Sequence, residues 1–524
     1  MLLPRDLGIR CARTFPESTA FIDGTRRRTW RDLHDRSDRL GAALQRLGVR
    51  AGDAVAIVAH PQLELAEHWH ACLKIGALRT AINWRFAPRE MLHVIRDADA
   101  KVVIVQASCG APIGPLVAEF EQEGRHIVGF GPDHGFALDY ESLLAAEQEP
   151  PVLPPLSDDD PAAISYTTGT SGLPKGAVLS QGGIREALIW ASLTAGYQHA
   201  DVWFQATPGT GAPHGFMVGA VTGMATVLPD GDFHPRRFLE LAEEHARHSV
   251  LFVATMMRRV IELMREGAYD LSALRLVIYG SMPTPPPLVR AAFEAFGCEL
   301  QQWYGATEGS FFTCLHHEDH LRAFAGEPEL LASAGRPLLH VELSIRDDQW
   351  HEVPTGTVGN VCVRGQVIMQ HYRNQPQLTA DVLHDGYLRM HDLGYLNDSG
   401  RLVLVDRRDF LIISGAFNIY PMVVENVVAE HAAVREVAVV GAPHPDWGEA
   451  VVAVVTLKPG KTATAEELIA FCGGRLGRFE IPKHVEFVPT LPTGPSGKIL
   501  KKEVKQWFQN DPGRLPWASS TPKG

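Results

Sequence analysis

The sequence predicts an α/β protein with a large N-terminal domain of doubly wound sheets, a small β subdomain and a small α+β C-terminal domain. Three observations lead to this prediction. The 524 residues exceed what one hydrophobic core usually serves, so several domains are expected. Helical stretches alternate with short β-rich runs between about residues 30 and 290, a pattern typical of parallel sheets covered on both faces. The pattern then changes near residue 335 and again near residue 409.

The alternation is clearest in the first hundred residues, where apolar residues recur at helical spacing or in β-branched runs. The predicted elements there are, in order, a helix at 30–47, a strand at 54–58, a helix at 63–75 and a strand at 101–105. Two later runs, 250–253 and 276–279, are typical of buried strands. Because α/β proteins usually place their sites in the loops after such strands, we expect functional residues beyond 279.

Two smaller units follow the alternating region. Short strands and Gly-rich turns between about 335 and 405 predict the β subdomain. The α+β module beyond it is predicted from a helix at 423–431, strands at 437–440 and 451–457, and a helix at 465–476. The predicted boundaries are 1–408 for the large domain, with its β subdomain at 335–408, then 409–510 for the small domain, and 511–524 for a flexible tail.

The composition excludes several classes of protein. It is 45% hydrophobic and 21% charged, and no apolar run is long enough to cross a bilayer. Arg5 and Asp6 interrupt the N-terminal apolar residues, so no secretion signal is expected. The seven cysteines lack paired spacing, which favours a reducing cytoplasm. A net charge of −12 argues against nucleic acid as a partner, and the basic run Arg26–Arg28 is interpreted as a solvated turn.

A stretch rich in small hydroxyl residues and glycine is a candidate phosphate-binding loop. Such residues let backbone N–H and side-chain O–H groups surround phosphate oxygens, and a lysine adds a positive charge. The spacing differs from that of a Walker A loop, and taken alone the stretch also fits a flexible surface loop. The candidate phosphate ligands are Thr167, Thr168, Gly169, Thr170, Ser171, Gly172 and Lys175.

Four further motifs follow the candidate loop. They are Gly280-Ser281-Met282-Pro283, Tyr304-Gly305-Ala306-Thr307-Glu308, Asp392 followed by Asp406-Arg407-Arg408-Asp409, and Pro492-Thr493-Gly494-Pro495-Ser496-Gly497-Lys498. In this order and combination the chain resembles the adenylate-forming superfamily of acyl-CoA synthetases, firefly-type luciferases and peptide-synthetase adenylation domains. The resemblance extends from about residue 10 to residue 505.

The resemblance implies roles in nucleotide binding for the middle motifs. Gly280, Ser281, Met282, Gly305 and Ala306 would line the nucleotide site. Tyr304 would stack on adenine, Thr307 would contact the α-phosphate, and Glu308 with Thr167 would hold Mg²⁺, a hard cation that prefers oxygen ligands. Asp392 would accept hydrogen bonds from the ribose hydroxyls, and Arg407 would donate to the ribose from the other side.

The same resemblance implies a mobile small domain with two tasks. Lys498 would stabilise the negative charge that develops when a carboxylate attacks the α-phosphate. Asp409 would be the hinge about which the small domain rotates for the second step. Gly415 and Ala416 would then line the tunnel for the pantetheine arm of coenzyme A.

Some residues depart from the family pattern or lie in uncertain register with it. The family usually has Thr-Gly before its ribose aspartate, whereas this chain has Met390-His391, and Ala416 replaces a glycine. Either change would weaken one half-reaction if it crowds the ligand. In the segment 207–215, small residues precede His214, a candidate acyl-pocket histidine; with Phe311 and Phe312 they predict a wide apolar pocket for a bulky hydrophobic acid.

The predicted function is therefore acyl-CoA ligase, with ATP, Mg²⁺ and coenzyme A, acting on a hydrophobic acid such as a fatty or natural-product acid. One alternative is a thioester-forming enzyme with weak adenylation that uses preformed acyl-AMP. Another is an enzyme that loads a carrier protein, although the chain shows no fused carrier domain. A luciferase-like oxygenase and an inactive nucleotide-binding scaffold are the remaining alternatives, and the retention of Lys175, Glu308, Asp392, Arg407 and Lys498 argues against the scaffold.

Overall fold

The computed structural model describes residues 2–167, 173–207, 212–229, 231, 233–245, 247–415, 417–494 and 498–517. The strands are β1 Thr19–Asp23, β2 Arg26–Thr29, β3 Ala54–Val58, β4 Leu78–Ile82, β5 Ala100–Gln106, β6 His126–Phe130, β7 Leu138–Asp139, β8 Pro161–Thr167, β9 Lys175–Ser180, β10 Val202–Phe204, β11 Ala225–Leu228, β12 His248–Phe252, β13 Leu274–Gly280, β14 Glu299–Ala306, β15 Ser310–Leu315, β16 Arg336–Pro337, β17 Glu342–Arg346, β18 Gly359–Arg364, β19 His371–Tyr372, β20 Leu383–His384, β21 Tyr387–Leu396, β22 Leu402–Arg407, β23 Ile412–Ser414, β24 Phe417–Ile419, β25 Val434–His444, β26 Gly448–Leu457 and β27 His484–Phe487.

The helices alternate with these strands. They are α1 Pro4–Thr14, α2 Trp30–Arg46, α3 Leu63–Ile75, α4 Pro88–Asp97, α5 Val117–Gln122, α6 Tyr140–Ala146, α7 Gln181–Ala195, α8 Pro213–Met217, α9 Gly219–Thr222, α10 Pro235–Glu244, α11 Ala254–Met264, α12 Pro286–Phe296, α13 His317–Ala325, α14 Pro376–Val382, α15 Pro421–Ala429, α16 Ala465–Cys472 and α17 Lys501–Asn510. No helix of the described chain is long and apolar enough to cross a membrane.

The predicted fold class is confirmed, because two large sheets dominate the N-terminal part of the chain. One has nine strands in the order β16-β15-β14-β13-β12-β10-β11-β1-β2, and the other has eight in the order β19-β9-β8-β4-β3-β5-β6-β7. Their central strands are parallel, while edge pairs such as β8 with β9 and β14 with β15 are antiparallel. The candidate motifs at β8–β9, β13 and β14 therefore sit at or just beyond strand ends, as expected for α/β proteins.

Helix α3 lies in the layer between the two sheets. It contacts β1 of one sheet and β3 of the other, and all its residues are buried. This burial includes two carboxylates, Glu64 and Glu67, which need cationic partners there. Arg26 supplies one, 2.7 Å from Glu64, and Arg28 lies 3.4 Å from Glu67. The interpretation of the basic run as a solvated turn is therefore wrong, since two of its three arginines neutralise buried acids.

The β subdomain and the small domain follow in chain order. Strands β17, β18, β20, β21 and β22 form an antiparallel sheet that spans Glu342–Arg407. The small domain has its own five-stranded sheet around the long β25–β26 hairpin, which α15 and α17 contact. Helix α16 ends at Cys472, earlier than the predicted residue 476, because Gly473 and Gly474 follow it and Gly474 has φ +74°.

The start of the predicted tail is packed against the small domain. Leu515 is 4% exposed and belongs to the apolar cluster with Val504 and Phe508 of α17. The indole N–H of Trp517 donates to the carbonyl of Pro443 at 2.8 Å. Flexibility over the whole of 511–524 is therefore contradicted up to Trp517; residues 518–524 lie outside the described chain.

Candidate functional site

The candidate phosphate loop connects two paired strands at the edge of the eight-stranded sheet. Strand β8 ends at Thr167 and β9 begins at Lys175, and these two residues pair with one another across the antiparallel ladder. The hairpin brings the predicted hydroxyl ligand and the predicted cation side by side. Five predicted phosphate ligands lie outside the described residues: Thr168, Gly169, Thr170, Ser171 and Gly172.

The turn after β13 forms a second wall of the site. Gly280 pairs with Trp303 of the neighbouring strand, and a Cβ at Gly280 would lie 2.2 Å from the Trp303 carbonyl oxygen. Only glycine fits there without displacing the strand. Ser281 has φ +64°, a left-handed conformation that is uncommon for serine, and Met282 is half-buried. The predicted nucleotide-site residues therefore lie on a tightly constrained turn.

Strand β14 carries Tyr304, Gly305 and Ala306 to the same edge of the nine-stranded sheet. A Cβ at Gly305 would lie 1.9 Å from the carbonyl oxygen of Ser310, so this position also requires glycine. Tyr304 is 9% exposed, and its hydroxyl donates to Oδ2 of Asp392 at 2.7 Å. Burial and the Asp392 charge raise the pKa of Tyr304, so its hydroxyl remains a donor. This bond joins the large sheet to the β subdomain.

Glu308 is half-buried at the end of this loop, and Thr307 beside it is exposed. The Oε1 atom of Glu308 accepts a hydrogen bond from the Tyr372 hydroxyl at 2.7 Å, and the backbone carbonyl of Glu308 accepts one from the N–H of Met369 at 2.6 Å. Tyr372 belongs to β19, which pairs with β9 of the phosphate hairpin. One carboxylate oxygen is thereby fixed on the side of the hairpin that carries Lys175.

A magnesium ion fits this donor set. Mg²⁺ takes oxygen ligands, keeps several waters and usually needs one or two protein carboxylates beside substrate phosphates. Glu308 offers Oε2 in addition to the oxygen bonded by Tyr372, and the Thr167 hydroxyl is a second hard donor. Among the described residues no group of three or more His, Cys, Asp or Glu side chains could hold a metal ion.

Asp392 and Arg407 face each other across neighbouring strands of the β subdomain. They pair in register between β21 and β22, and the Arg407 Nε lies 3.6 Å from the Asp392 Oδ1. The Tyr304 hydroxyl therefore hydrogen-bonds the carboxylate, and the Arg407 guanidinium forms a longer ion pair with it. The two predicted ribose ligands are adjacent in the structure rather than separated by the width of a ribose.

His391 lies within an irregular stretch of β21. Asn360 pairs with Leu393 while Cys362 pairs with Arg389, so β21 gains residues relative to β18 at this point. The irregularity places Met390 in the core, 8% exposed, and leaves His391 half-buried. In the described chain no hydrogen bond or ion pair joins His391 to Asp392. Crowding of the ribose by His391 stays a prediction.

Lys498 belongs to the small domain, where its backbone carbonyl accepts a hydrogen bond from the N–H of Gly494 at 2.8 Å. The residue as a whole is exposed, yet the surrounding protein desolvates its ammonium and lowers its pKa. The nearby Arg407 charge lowers that pKa further, whereas the charges of Asp392 and Glu308 raise it. The charges of Arg407, Asp392 and Glu308, the groups predicted to hold nucleotide and metal, therefore act on a lysine of the small domain.

The predicted hinge lies between the two domains. Asp409 is in a 3₁₀ turn, Arg408–Phe410, which joins β22 to β23. Arg408 holds the start of this turn on the large domain through Asp348, at 2.6 Å. Gly415 follows β23 with φ +62°, and its N–H donates to the carbonyl of Trp447 at 2.8 Å. Ala416 lies outside the described residues.

His214, the candidate acyl-pocket histidine, is packed among aromatic rings. The His214 ring is enclosed by Trp203, Trp303 and Phe311, with centroid distances of 4.5, 5.7 and 5.7 Å. Phe312 points elsewhere, since it is fully buried against Tyr304. Residues 208–211, whose small side chains suggested the width, lie outside the described chain, so the wide apolar pocket stays a prediction.

Sequence reasoning missed three side chains of this site. Tyr372 orients Glu308, and Trp203 and Trp303 surround His214. Tyr372 lies in a polar stretch with no periodicity, so no local signal identifies it. Trp303 could have been found, because it immediately precedes Tyr304. Side chains alternate along a strand, so its large ring must pack on the face opposite to Tyr304.

This fold and site define a class of enzyme: a nucleotide cleft built from two α/β sheets and a β subdomain, approached by a lysine from a separate α+β domain. The sequence profile of the AMP-binding enzymes matches residues 9–373, and the profile of the AMP-binding enzyme C-terminal domain matches residues 423–498. The chain belongs to the AMP-binding enzyme family. It is an ATP-dependent ligase of carboxylic acids, and the resemblance to the adenylate-forming superfamily is confirmed.

Relatives with known names cover nearly the whole chain. A fatty acid–[acyl-carrier-protein] ligase, ScoC of Streptomyces coeruleorubidus, is 31% identical over 95% of both chains. A feruloyl-CoA synthase of Amycolatopsis is 32% identical over 95% of this chain and 98% of its own. Among solved structures, the amide bond synthetase McbA of Marinactinospora thermotolerans superposes with a TM-score of 0.85 and 30% identity over 96% of this chain and all of its own.

Proposed function

We propose that the protein is an acyl-CoA ligase that acts in two steps. In the first, a carboxylate oxygen of the acid bonds to the α-phosphorus of ATP, the bond to the leaving phosphate breaks, and acyl-AMP and pyrophosphate result. In the second, the thiol of coenzyme A attacks the acyl carbon, the carbon–oxygen bond to AMP breaks, and the thiol proton passes to solvent. The products of that step are acyl-CoA and AMP.

The observation that carries the proposal is the charge environment of Lys498. The attack brings two anions together and increases the negative charge on the phosphoryl oxygens, so a preorganised ammonium stabilises the transition state. Asp392, Arg407 and Glu308 are held at the edge of the large domain, and their charges act on the pKa of Lys498, which supports a role for this ammonium beside the reacting phosphate.

The other charged residues support binding and orientation. Tyr304 and Arg407 hold the Asp392 carboxylate, which leaves it oriented to accept hydrogen bonds from ribose hydroxyls. Tyr372 holds Glu308. Together with Thr167, Glu308 would hold Mg²⁺, which when bound would neutralise phosphate charge. Holding each carboxylate in advance reduces the reorganisation needed at the moment of reaction.

An exposed aromatic surface on the small domain supports a pantetheine-bearing acceptor. Phe417 and Phe479 stack at 3.6 Å although they are 45% and 50% exposed, and Trp447 nearby is 41% exposed. Lys483 lies 5.8 Å from the Trp447 ring. Exposed aromatic groups beside a cation suit a nucleotide with phosphates, since rings stack on bases and ammonium groups bind phosphate. This surface adjoins Gly415, which is predicted to line the pantetheine tunnel.

A carrier protein is the second candidate acceptor, because its phosphopantetheine arm carries the same thiol and ScoC bears that activity in its name. An amine acceptor is a third outcome to measure, given the name of McbA. The first half-reaction is the same for all three acceptors, so only the product of the second half-reaction distinguishes them.

The experiment supplies the enzyme with ATP, Mg²⁺ and a panel of carboxylic acids and measures pyrophosphate, acyl-AMP and the final product. Parallel reactions contain coenzyme A, a phosphopantetheinylated carrier protein, a simple amine or no acceptor. The proposal predicts pyrophosphate release with at least one acid and thioester formation with coenzyme A. Product with only the carrier protein or only the amine would reassign the acceptor, and no pyrophosphate with any acid would contradict adenylate formation.

A further inference from the structure

Helix α4 holds both strands of the phosphate hairpin, which is formed by β8 and β9. The Nε2 atom of His93 donates to the carbonyl of Pro174 at 2.9 Å, just before β9 begins. Asp97 accepts a hydrogen bond from the Tyr166 hydroxyl at 2.7 Å, near the end of β8. His93 and Asp97 are four residues apart and therefore lie on one face of the helix. The two ends of the hairpin are tied to a single helix.

Asp97 also holds the segment that follows Tyr372. The side-chain amide of Asn374 donates to the Asp97 backbone carbonyl at 2.9 Å and to the Asp97 Oδ1 at 3.2 Å. Asn374 has φ +54°, a left-handed conformation in which asparagine is enriched. It lies two residues beyond Tyr372, which bonds Glu308. Asp97 is therefore linked to Thr167 through one neighbour and to Glu308 through another.

The link through Tyr166 depends on close packing inside the hairpin. Tyr166 pairs with Gly176 across the ladder, and a Cβ at Gly176 would lie 2.8 Å from the tyrosine ring. Glycine at this position leaves room for the ring where its hydroxyl reaches Asp97. Burial and the hydrogen bond to Asp97 raise the pKa of Tyr166, so its hydroxyl stays protonated and donates.

The two predicted Mg²⁺ donors belong to different sheets and need to be held at a fixed separation. Thr167 ends β8 of the eight-stranded sheet, whereas Glu308 follows β14 of the nine-stranded sheet. Mg²⁺ demands near-ideal octahedral geometry, with its donors at about 2.0–2.1 Å. Residues that orient metal ligands from behind therefore matter, and their removal typically costs about 10- to 100-fold in metal affinity.

We propose that Asp97 is a positioning residue for the metal–phosphate site and sets the separation between the Thr167 hydroxyl and the Glu308 carboxylate. This inference rests on the proposed function. The Asp97 carboxylate oxygens bond Tyr166 and Asn374, so it acts through these neighbours and not as a ligand. Its loss should weaken the binding of a triphosphate with Mg²⁺. Binding of AMP, which carries no β- or γ-phosphate, should be spared.

The test measures equilibrium binding by isothermal titration calorimetry with no acid present. The ligands are AMP and α,β-methylene-ATP, an analogue in which the bond that ATP would break is replaced. The analogue is titrated with Mg²⁺ and, separately, with EDTA, and the ratio of the two Kd values gives the gain in affinity from Mg²⁺. We expect Asp97→Ala to reduce this gain by roughly 10-fold or more and to leave the Kd of AMP unchanged.

Two further variants separate positioning from general damage to the fold. Tyr166→Phe removes only the hydroxyl that bonds Asp97 and should also reduce the gain from Mg²⁺. In the double variant with Asp97→Ala it should add little, because the two residues act through one interaction. Asp99→Asn is the matched control: Asp99 lies two residues further on, is 73% exposed and pairs with Arg125. Its gain from Mg²⁺ should equal that of the wild type.

An unchanged gain from Mg²⁺ in both Asp97→Ala and Tyr166→Phe overturns the inference and leaves the ligase proposal standing, because that proposal is tested by pyrophosphate release. An equal weakening of AMP binding in these variants also overturns the inference, since general damage to the site then explains the result. A wild type that neither gains affinity from Mg²⁺ nor releases pyrophosphate with any acid overturns both.

Discussion

At the residue scale, each carboxylate predicted to bind nucleotide or metal is held by a neighbouring donor. Tyr304 and Arg407 hold Asp392, and Tyr372 holds Glu308. These donors come from different strands, so the site depends on the relative position of the large sheet and the β subdomain. Such interactions fix the carboxylates before any ligand binds, which is how preorganised sites lower the cost of binding and reaction.

Histidines at buried positions make stability depend on pH. Burial lowers the pKa of His70 and of His214 to about 3, and of His248 and His320 to about 4. Below about pH 6.5 these histidines bind protons in the unfolded chain but stay neutral in the folded chain. The free energy of unfolding therefore falls as the pH drops from about 6.5 toward 4. Above pH 7 this contribution is fully present.

The measurement is chemical denaturation at several pH values between 4.5 and 7.5. His70→Gln removes one such group and should reduce the slope of stability against pH in this window. His351, whose side chain is 79% exposed, supplies the control, and His351→Gln should leave the slope unchanged. An equal slope in wild type and His70→Gln would show that His70 is not buried in its neutral form.

At the element scale, the helices and strands were predicted well where the local pattern decides the structure. Strand β3 and helix α3 match their predicted bounds because β-branched and helical periods are unambiguous there. The pairing of α3 carboxylates with the strand β2 arginines was missed, since it joins residues nearly forty positions apart. The motifs with fixed spacing predicted the family, whereas the contacts of Tyr372 and of the rings around His214 join residues far apart in the chain, which no local pattern encodes.

The ion pairs of α3 predict that two glutamates which share one arginine contribute very differently to the free energy of unfolding. Arg36 lies 2.5 Å from Glu67, which is fully buried, and 2.6 Å from Glu141, whose side chain is 60% exposed. Removing Glu67 leaves the Arg36 and Arg28 charges and the Tyr140 hydroxyl without their buried partner. Glu67→Ala should therefore lower the free energy of unfolding by about 3–5 kcal/mol.

Glu141→Ala is the matched control, and it should cost less than about 1 kcal/mol because an exposed ion pair is screened by water. Denaturant unfolding of the two variants measures both values. Similar losses in the two variants would mean that the buried network does not stabilise the layer between the sheets.

At the scale of the whole molecule, two ion pairs join the large and small domains. Arg258 and Glu262 are one turn apart on α11 and meet Glu436 and Arg435 of β25 at 2.6 and 3.0 Å. Near the hinge, the N–H of Met422 donates to Asp406 at 2.7 Å. These contacts stabilise the domain arrangement in which the charges of Asp392, Arg407 and Glu308 act on Lys498. A domain rotation for the second step would have to break them.

Charge reversal at this interface should therefore change the balance of the two half-reactions. Glu436→Arg places two cations together, and we expect it to slow adenylation by roughly 3- to 10-fold relative to thioester formation from preformed acyl-AMP. Arg258→Glu in the same protein restores an opposite-charge pair and should recover most of the loss. The effect should shrink at high salt, since these side chains are partly exposed. If Glu436→Arg changed neither rate, these ion pairs would not control the balance of the two half-reactions.

The central claim is that Lys498 acts in adenylation. Its replacement by Ala removes the ammonium that would stabilise the phosphoryl charge, and this charge develops only in the first step. The decisive measurement compares Lys498→Ala and wild type in two assays with one confirmed acid: pyrophosphate release from ATP, and thioester formation from preformed acyl-AMP with coenzyme A. The account predicts a loss of about 10²-fold or more in the first assay and a rate near that of the wild type in the second. An equal loss in both assays, or none in the first, would contradict it.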